Sequence, residues 1–235
     1  MESTLANADD YATQLWKDLR FQRLTILDGR FIRELANGTV SREQIGRWAR
    51  FYYALTKNGR LTIANLYAHS PDDDALRKEL AANLYEEETG RLSKVNKCHM
   101  DVFFDFLAAF DVTPDEARAL APPAAATLTA GGPAAPIPSD GYYTYLSVYG
   151  LLGEAPNAEF CEIAYTAMSK HYGFTDQELT WFYMHARLDK DHGAMLGTFF
   201  EKAAAEHGGL DGIRSAAFTL APLYQNIWNT FGAWR

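Results

Sequence analysis

One segment limits the folds open to this chain more than any other. Between Asp176 and Glu206 the apolar residues Trp181, Phe182, Leu188, Met195, Leu196 and Phe199 recur at helical spacing, and His185, Asp189 and His192 stand on the same stripe. At about 100° per residue, positions four and seven apart fall within roughly 40° of the first, so two imidazoles and a carboxylate project together. They project into a core, where unpaired polar groups are costly. A fold that accepts this helix must set other polar side chains opposite it.

The rest of the chain supplies helices for that purpose. Ser41-Arg-Glu-Gln44, Thr113-Pro-Asp-Glu116 and Thr175-Asp-Gln-Glu178 each read as a capping box, and each opens an apolar-periodic segment. After Ser41, the residues Ile45, Trp48, Tyr52, Leu55, Gly59, Ile63 and Leu66 keep helical period up to His69-Ser70-Pro71, which stops it. Further helices are expected from about Asp72 to the Glu86-Glu87-Glu88 cluster, with Leu76, Leu80 and Leu84 inward, and from Lys97 to Phe110. Four more are expected over 142–153, 158–171, 176–206 and 211–231. Residues 121–138 form a Pro, Gly and Ala tract unsuited to a regular element, joining two helical halves. The expectation is an all-α bundle of about eight helices forming one domain over 1–235.

Composition removes several function classes. A net charge of −8 opposes a nucleic-acid or anionic-membrane partner, since both require clustered Lys and Arg. No apolar run approaches the roughly 18 residues of a membrane span, and the first residues carry neither a basic region nor an apolar signal core, so a cytoplasmic location is expected. Cys98 and Cys161 are too few for a disulfide framework or a thiolate zinc site and read as free thiols.

The six histidines sort into two groups. His69, His171 and His207 each fall in the last turn of a helix, where an imidazolium meets the negative end of the helix dipole. His99, His185 and His192 lie within expected helices among large apolar residues, where no terminus explains them. Among the acids, Glu87 falls 7 residues after Leu80 and 11 after Leu76, on the buried stripe, whereas Glu86 turns away from it and Glu88 is less cleanly excluded. Glu154 shares a face with Ser147, Gly150 and Leu151 and precedes a bend at Pro156. Imidazoles and carboxylates gathered in a helical core suit iron or manganese better than zinc. The Glu-x-x-His motif of ferritin-like bundles is absent; Asp189-x-x-His192 is its nearest counterpart and occurs once, so any site is asymmetric.

At these residues the chain resembles the haem-oxygenase-like family that includes the thiamin-salvage TenA proteins, pyrroloquinoline quinone synthase and the chlamydial death-domain-associating protein. It is most similar to the non-haem diiron branch. The resemblance runs through Leu27-Asp-Gly-Arg-Phe31, Asn37-Gly-Thr-Val-Ser-Arg-Glu-Gln44, Asn83-Leu-Tyr-Glu-Glu-Glu-Thr-Gly90 and the stretch from Glu154 to His192. Carried over position by position, it implies metal ligands Glu87, His99, Glu154, His185, Asp189 and His192. The segment Arg91 to Cys98 lengthens the spacing between Glu87 and His99 relative to the chlamydial protein, which keeps Glu88 as the alternative to Glu87. Some members carry a further carboxylate on the earlier core helix, but Thr56-Lys-Asn-Gly-Arg-Leu-Thr62 offers no acid. The para-aminobenzoate-forming members consume a tyrosine of their own and use a nearby lysine, and those positions align here with Ile32 and Ala164.

The resemblance implies two ferrous ions, with manganese as the other candidate, and O2 as cosubstrate. The reaction it implies is oxidation of a small molecule in specialised metabolism, by N-oxygenation or by cleavage of a carbon-carbon or carbon-nitrogen bond, with an external electron donor where needed. An amino-acid-derived substrate is expected. The alternatives are a fatty-acid oxidase, a metal-independent enzyme of the TenA or quinone-synthase type, and a protein-interaction module. Arg50, Lys57 and Arg60 share a face that either holds a substrate carboxylate or is simply solvated. The Ile227, Trp228, Phe231 and Trp234 tail is expected to pack on a second copy in a homodimer.

Overall fold

All three capping boxes close. Ser41 and Thr113 accept from the backbone N–H groups of Gln44 and Glu116, whose side chains reach back to the cap N–H groups, and Thr175 and Glu178 exchange the same pair of bonds. The structure is a computed structural model that describes residues 8–121, 137 and 139–232, and the side chains of these except 188–196 and 231–232. Of the 121–138 tract, only residues 121 and 137 are therefore described.

The described residues form helices joined by turns and loops, with no strand among them. In order come α1 (Ala8–Phe21), a 3-10 turn (Ile26–Asp28), α2 (Arg30–Ala36), α3 (Arg42–Thr56), α4 (Gly59–Ala68), α5 (Asp74–Thr89), α6 (His99–Ala108) and α7 (Pro114–Ala119). The second half holds α8 (Tyr142–Tyr149), a π-helical turn (Gly150–Glu154), α9 (Asn157–Tyr172), α10 (Thr180–Ala203) and α11 (Gly209–Gly232). The continuous period read from Ser41 to Leu66 conceals a break, because α3 ends at Thr56 and α4 begins at Gly59. Asn58 and Gly59 are poor helix formers, and the ammonium of Lys57 donates to the carbonyls of Arg118 and Leu120, holding the chain at the break.

The largest apolar cluster is built by α2, α3, α6, α9, α10 and α11 around Trp48, which is fully buried. Its indole stacks on Phe31 and Tyr52, at 5.4 and 5.1 Å between centroids, and meets Phe160 edge-on. Trp228 lies 4.8 Å from Phe160 and also touches Trp48. Ile227 and Trp228 thus belong to this chain's own core, while the Phe231 side chain and Trp234, the rest of the tail expected to meet a second copy, lie outside the described residues. A second cluster joins α1, the π-turn, α10 and α11, and a third joins α4, α5 and α8. Helix α10 runs among them, packing on α9, α8, α1 and α6. The residues facing α10 are therefore those that can answer its polar stripe.

Among the described residues, no helix is long and apolar enough to cross a membrane. His69 bonds the carbonyl of Asn65 in the last turn of α4, and His171 stands in the last turn of α9, as their positions implied.

Candidate metal centre

Helix α5 carries its acids to the point where α6 begins. Asp73 caps α5 by accepting from the N–H of Leu76, and Gly90 ends it in the left-handed region at φ +57°. A Cβ on Gly90 would stand 2.4 Å from the carbonyl oxygen of Lys97, so only glycine lets the chain turn here and double back. Residues 91–98 then fold over the end of α5, with Lys94 and Asn96 also at positive φ and the N–H of Asn96 bonded to the carbonyl of Gly90. His99 is delivered as the first residue of α6, and not from a helix interior as expected.

That return explains the largest departure from the helical-stripe reading. Glu86, expected to turn away, is buried; Glu87, expected inward, is half-buried; Glu88 is exposed and pairs with Arg60 at 3.2 Å. The stripe locates the face of α5 that packs on other helices, but the 91–98 segment covers a second face, the one holding Glu86. The Glu86 carboxylate accepts from the N–H of Leu92 at 2.6 Å and of Ser93 at 3.0 Å. The sign in the sequence was Gly90 itself, followed by a segment too short to do anything but return.

Both carboxylates converge on one ring. His99 Nε2 lies 3.0 Å from Glu86 Oε1, and its Nδ1 lies 3.0 Å from Glu87 Oε1. Burial alone would push the His99 imidazolium down, but bonds to Glu87 and Glu86 and their charges outweigh it and hold His99 above its ordinary value. For Glu86, burial alone would push the carboxyl up; the bonds from Ser93, His99 and Leu92 outweigh it and hold it below the usual range.

From the other side, α10 presents His185, also buried, its ring 5.0 Å from that of His99. Its Nδ1 lies 2.9 Å from the carbonyl of Trp181, which can only accept, so Nδ1 carries a proton, and in the neutral ring the lone pair a cation needs is on Nε2. The indole of Trp181 stacks on the same ring at 3.9 Å and fixes its plane. Glu87, His99 and His185 each bring one donor atom within 4.8 Å of the others. One carboxylate and two imidazoles, without sulfur, form a donor set suited to iron or manganese, so the residues present fit an iron site. Two donors each about 2.1 Å from one ion and at right angles stand about 3 Å apart, close to the Glu87 to His99 separation.

Among the described residues, Glu154 is not part of the three-residue donor group. Glu154 ends the π-turn, half-buried. Burial pushes the Tyr149 hydroxyl well above the phenol range, and the charges of Glu154 and Glu87 both add to it, so this ring is within electrostatic reach of the two acids. Asp189 and His192 occupy α10, but their side chains lie outside the described residues. Arg50 donates to the carbonyls of Gly46 and Phe110, Lys57 to those of Arg118 and Leu120, and Arg60 to Glu88 and the Cys98 sulfur. These three cations are partly buried, and each is engaged in bonds that tie neighbouring segments together. Ile32 and Ala164 are buried in the largest apolar cluster.

Comparisons with known proteins agree with this reading. A family model described as "Iron-containing redox enzyme" matches residues 47–224, more than half of the chain. A 4-aminobenzoate synthase of Chlamydia trachomatis is 31% identical over 109 residues, covering 46% of this chain and 45% of that protein, so less than half of that relative's length is matched. Among solved structures, a domain of unknown function with a haem-oxygenase-like fold from Shewanella denitrificans aligns with a TM-score of 0.64 at 15% identity, over 93% of this chain and 90% of that one. A TenA homologue from P. horikoshii aligns with a TM-score of 0.60 at 15% identity, over 95% of each chain. These two likenesses show the fold.

Proposed function

This chain belongs to the iron-containing redox enzyme family with a haem-oxygenase-like fold, and from that membership we propose that it is an O2-dependent non-haem iron oxidoreductase acting on a small molecule. The observation that carries the proposal is the buried convergence of Glu87, His99 and His185 from α5, α6 and α10, in a donor set suited to iron. A metal-independent enzyme of the TenA type has no use for two buried imidazoles and a carboxylate within bonding reach of one cation. In the full proposal the site holds two iron ions, with Glu154, Asp189 and His192 completing the ligand set. Bound iron supplies O2 activation; the protein's part is to hold the ligands, to keep His185 in one tautomer through the Trp181 carbonyl, and to exclude water with the surrounding aromatic wall. The substrate proposed is amino-acid-derived, with electrons from an external donor.

The test begins with anaerobic loading of ferrous iron and a count of iron per chain, followed by O2 uptake across a panel of amino acids and fatty acids. Near two irons per chain, falling on His185→Ala and Glu87→Ala, is the expected result. Fewer than about one iron per chain, unchanged by either substitution, would overturn the proposal. The aminobenzoate synthase relative supports a second reading, formation of 4-aminobenzoate, which mass spectrometry of the reaction products checks directly. Against it, the positions aligned with the tyrosine and lysine of such enzymes are the buried apolar Ile32 and Ala164.

A further inference from the structure

Glu86 belongs to no ligand set considered so far, yet it is the acid most completely enclosed in this region. Its side chain is 10% exposed, against 24% for that of Glu87, and its two oxygens accept three bonds: Oε2 from the N–H of Leu92, and Oε1 from the N–H of Ser93 and from His99 Nε2. No backbone N–H among the described residues donates to Glu87. One carboxylate is therefore held in place by the chain and the other is available to move onto a cation.

We propose that Glu86 is the positioning residue of the metal centre: it keeps the proton on His99 Nε2, so that His99 binds iron through Nδ1, beside Glu87. The geometry supports this assignment at each end. A ring nitrogen 3.0 Å from a carboxylate that already accepts two backbone bonds is a donor and keeps its hydrogen. The opposite nitrogen faces Glu87, which with His185 makes up the three-residue donor group. A carboxylate behind a ligating imidazole fixes the ring's tautomer and plane and raises its basicity, and its loss costs metal affinity without removing a ligand. His185 is oriented in the same manner by a different acceptor, the Trp181 carbonyl. The two imidazoles would then bind through different nitrogens, Nδ1 for His99 and Nε2 for His185. The 91–98 segment gains a function as well, because two of its amides hold Glu86 against the ring.

The inference rests on the iron-site reading, and the experiment separates the two. Full-length protein carrying 15N-labelled histidine is loaded with zinc as a diamagnetic probe, and long-range 1H–15N spectra assign the protonated and metal-bound nitrogen of each ring, with His99→Gln identifying the His99 signals. The expected spectrum has zinc on Nδ1 of His99 and a proton on Nε2. Glu86→Ala is expected to weaken zinc binding about 10- to 100-fold while the protein still binds one equivalent, and to remove the single-tautomer signature. Zinc bound with His99 ligating through Nε2 would overturn the assignment of Glu86 and leave the metal site standing. Absence of zinc binding in the unsubstituted protein would overturn both. The tautomer is read in the unsubstituted protein, so a variant that fails to fold does not decide the matter.

Discussion

At the scale of single residues, three adjacent glutamates have three different tasks, set by the roughly 100° of helical rotation from each to the next. Glu88 faces solvent and Arg60, an exposed pair worth at most about 1 kcal/mol. Glu88→Ala is therefore expected to leave iron affinity within about twofold and stability within about 1 kcal/mol, whereas Glu87→Ala removes a ligand; titration with ferrous iron under argon distinguishes them. The ring between Glu86 and Glu87 gives the metal-free protein a defined response to pH. The His99 value is raised by folding, so its contribution to stability is complete below the ordinary value of 6.5 and is lost as pH rises through the raised value. The Glu86 value is lowered, so its contribution is present above 4.5 and is lost as pH falls through the lowered value. Metal-free protein is expected to be most resistant to urea between those limits, and the alkaline decline is expected to flatten in His99→Gln. Iron binding runs the other way and strengthens as pH rises, because the ligating nitrogen must lose its proton.

At the scale of elements, the turn at Gly90 is the piece on which the centre depends. Gly90→Ala places a Cβ against the backbone at a positive φ and is expected to cost more than about 1 kcal/mol. It should also release the Leu92 and Ser93 amides from Glu86, visible as faster hydrogen exchange at those two positions. Asp73 plays a parallel part at the other end of α5, where it caps the helix, accepts from Tyr143 at 2.5 Å and pairs with Lys202 of α10. The Lys202 bond is the main reason its carboxyl is held far below the usual range, followed by those from Tyr143 and Leu76. Asp73→Ala should cost about 2 kcal/mol by chemical denaturation, less at a pH low enough to protonate the acid. Local chemistry made much of this legible in the sequence: the three capping boxes, the stop at Ser70-Pro71 and the inward Leu76 and Leu80 all follow from rules acting within a few residues. The split of α3 from α4, the burial of Glu86 and the delivery of His99 at a helix start did not, because each depends on where the chain returns after a turn. Pro156 marks a junction between helical segments, standing between the π-turn that ends at Glu154 and α9, which begins at Asn157.

At the scale of the whole molecule, stability and chemistry occupy different places. Trp48 sits in an aromatic cluster of α2, α3, α6, α9 and α11, and Trp48→Ala is expected to cost about 3–5 kcal/mol in a thermal or urea melt. Glu87→Ala should cost less than this in metal-free protein, since the Glu87 side chain is 24% exposed and His99 keeps its bond to Glu86. The sequence made the all-helical class and the inward face of α10 that carries His185 legible, because the period of a 24-residue helix accumulates over many turns. The placement of Ile227 and Trp228 was not, since an apolar face reads alike whether its own chain or another covers it. The spread of the centre over α5, α6 and α10 has a further consequence, best put in polymer terms. A cation held by Glu87, His99 and His185 would be a crosslink between the first and second halves of the chain, closing a long loop and withdrawing conformations from the unfolded ensemble much as a disulfide does. The melting temperature should then climb with free ferrous iron well beyond saturation.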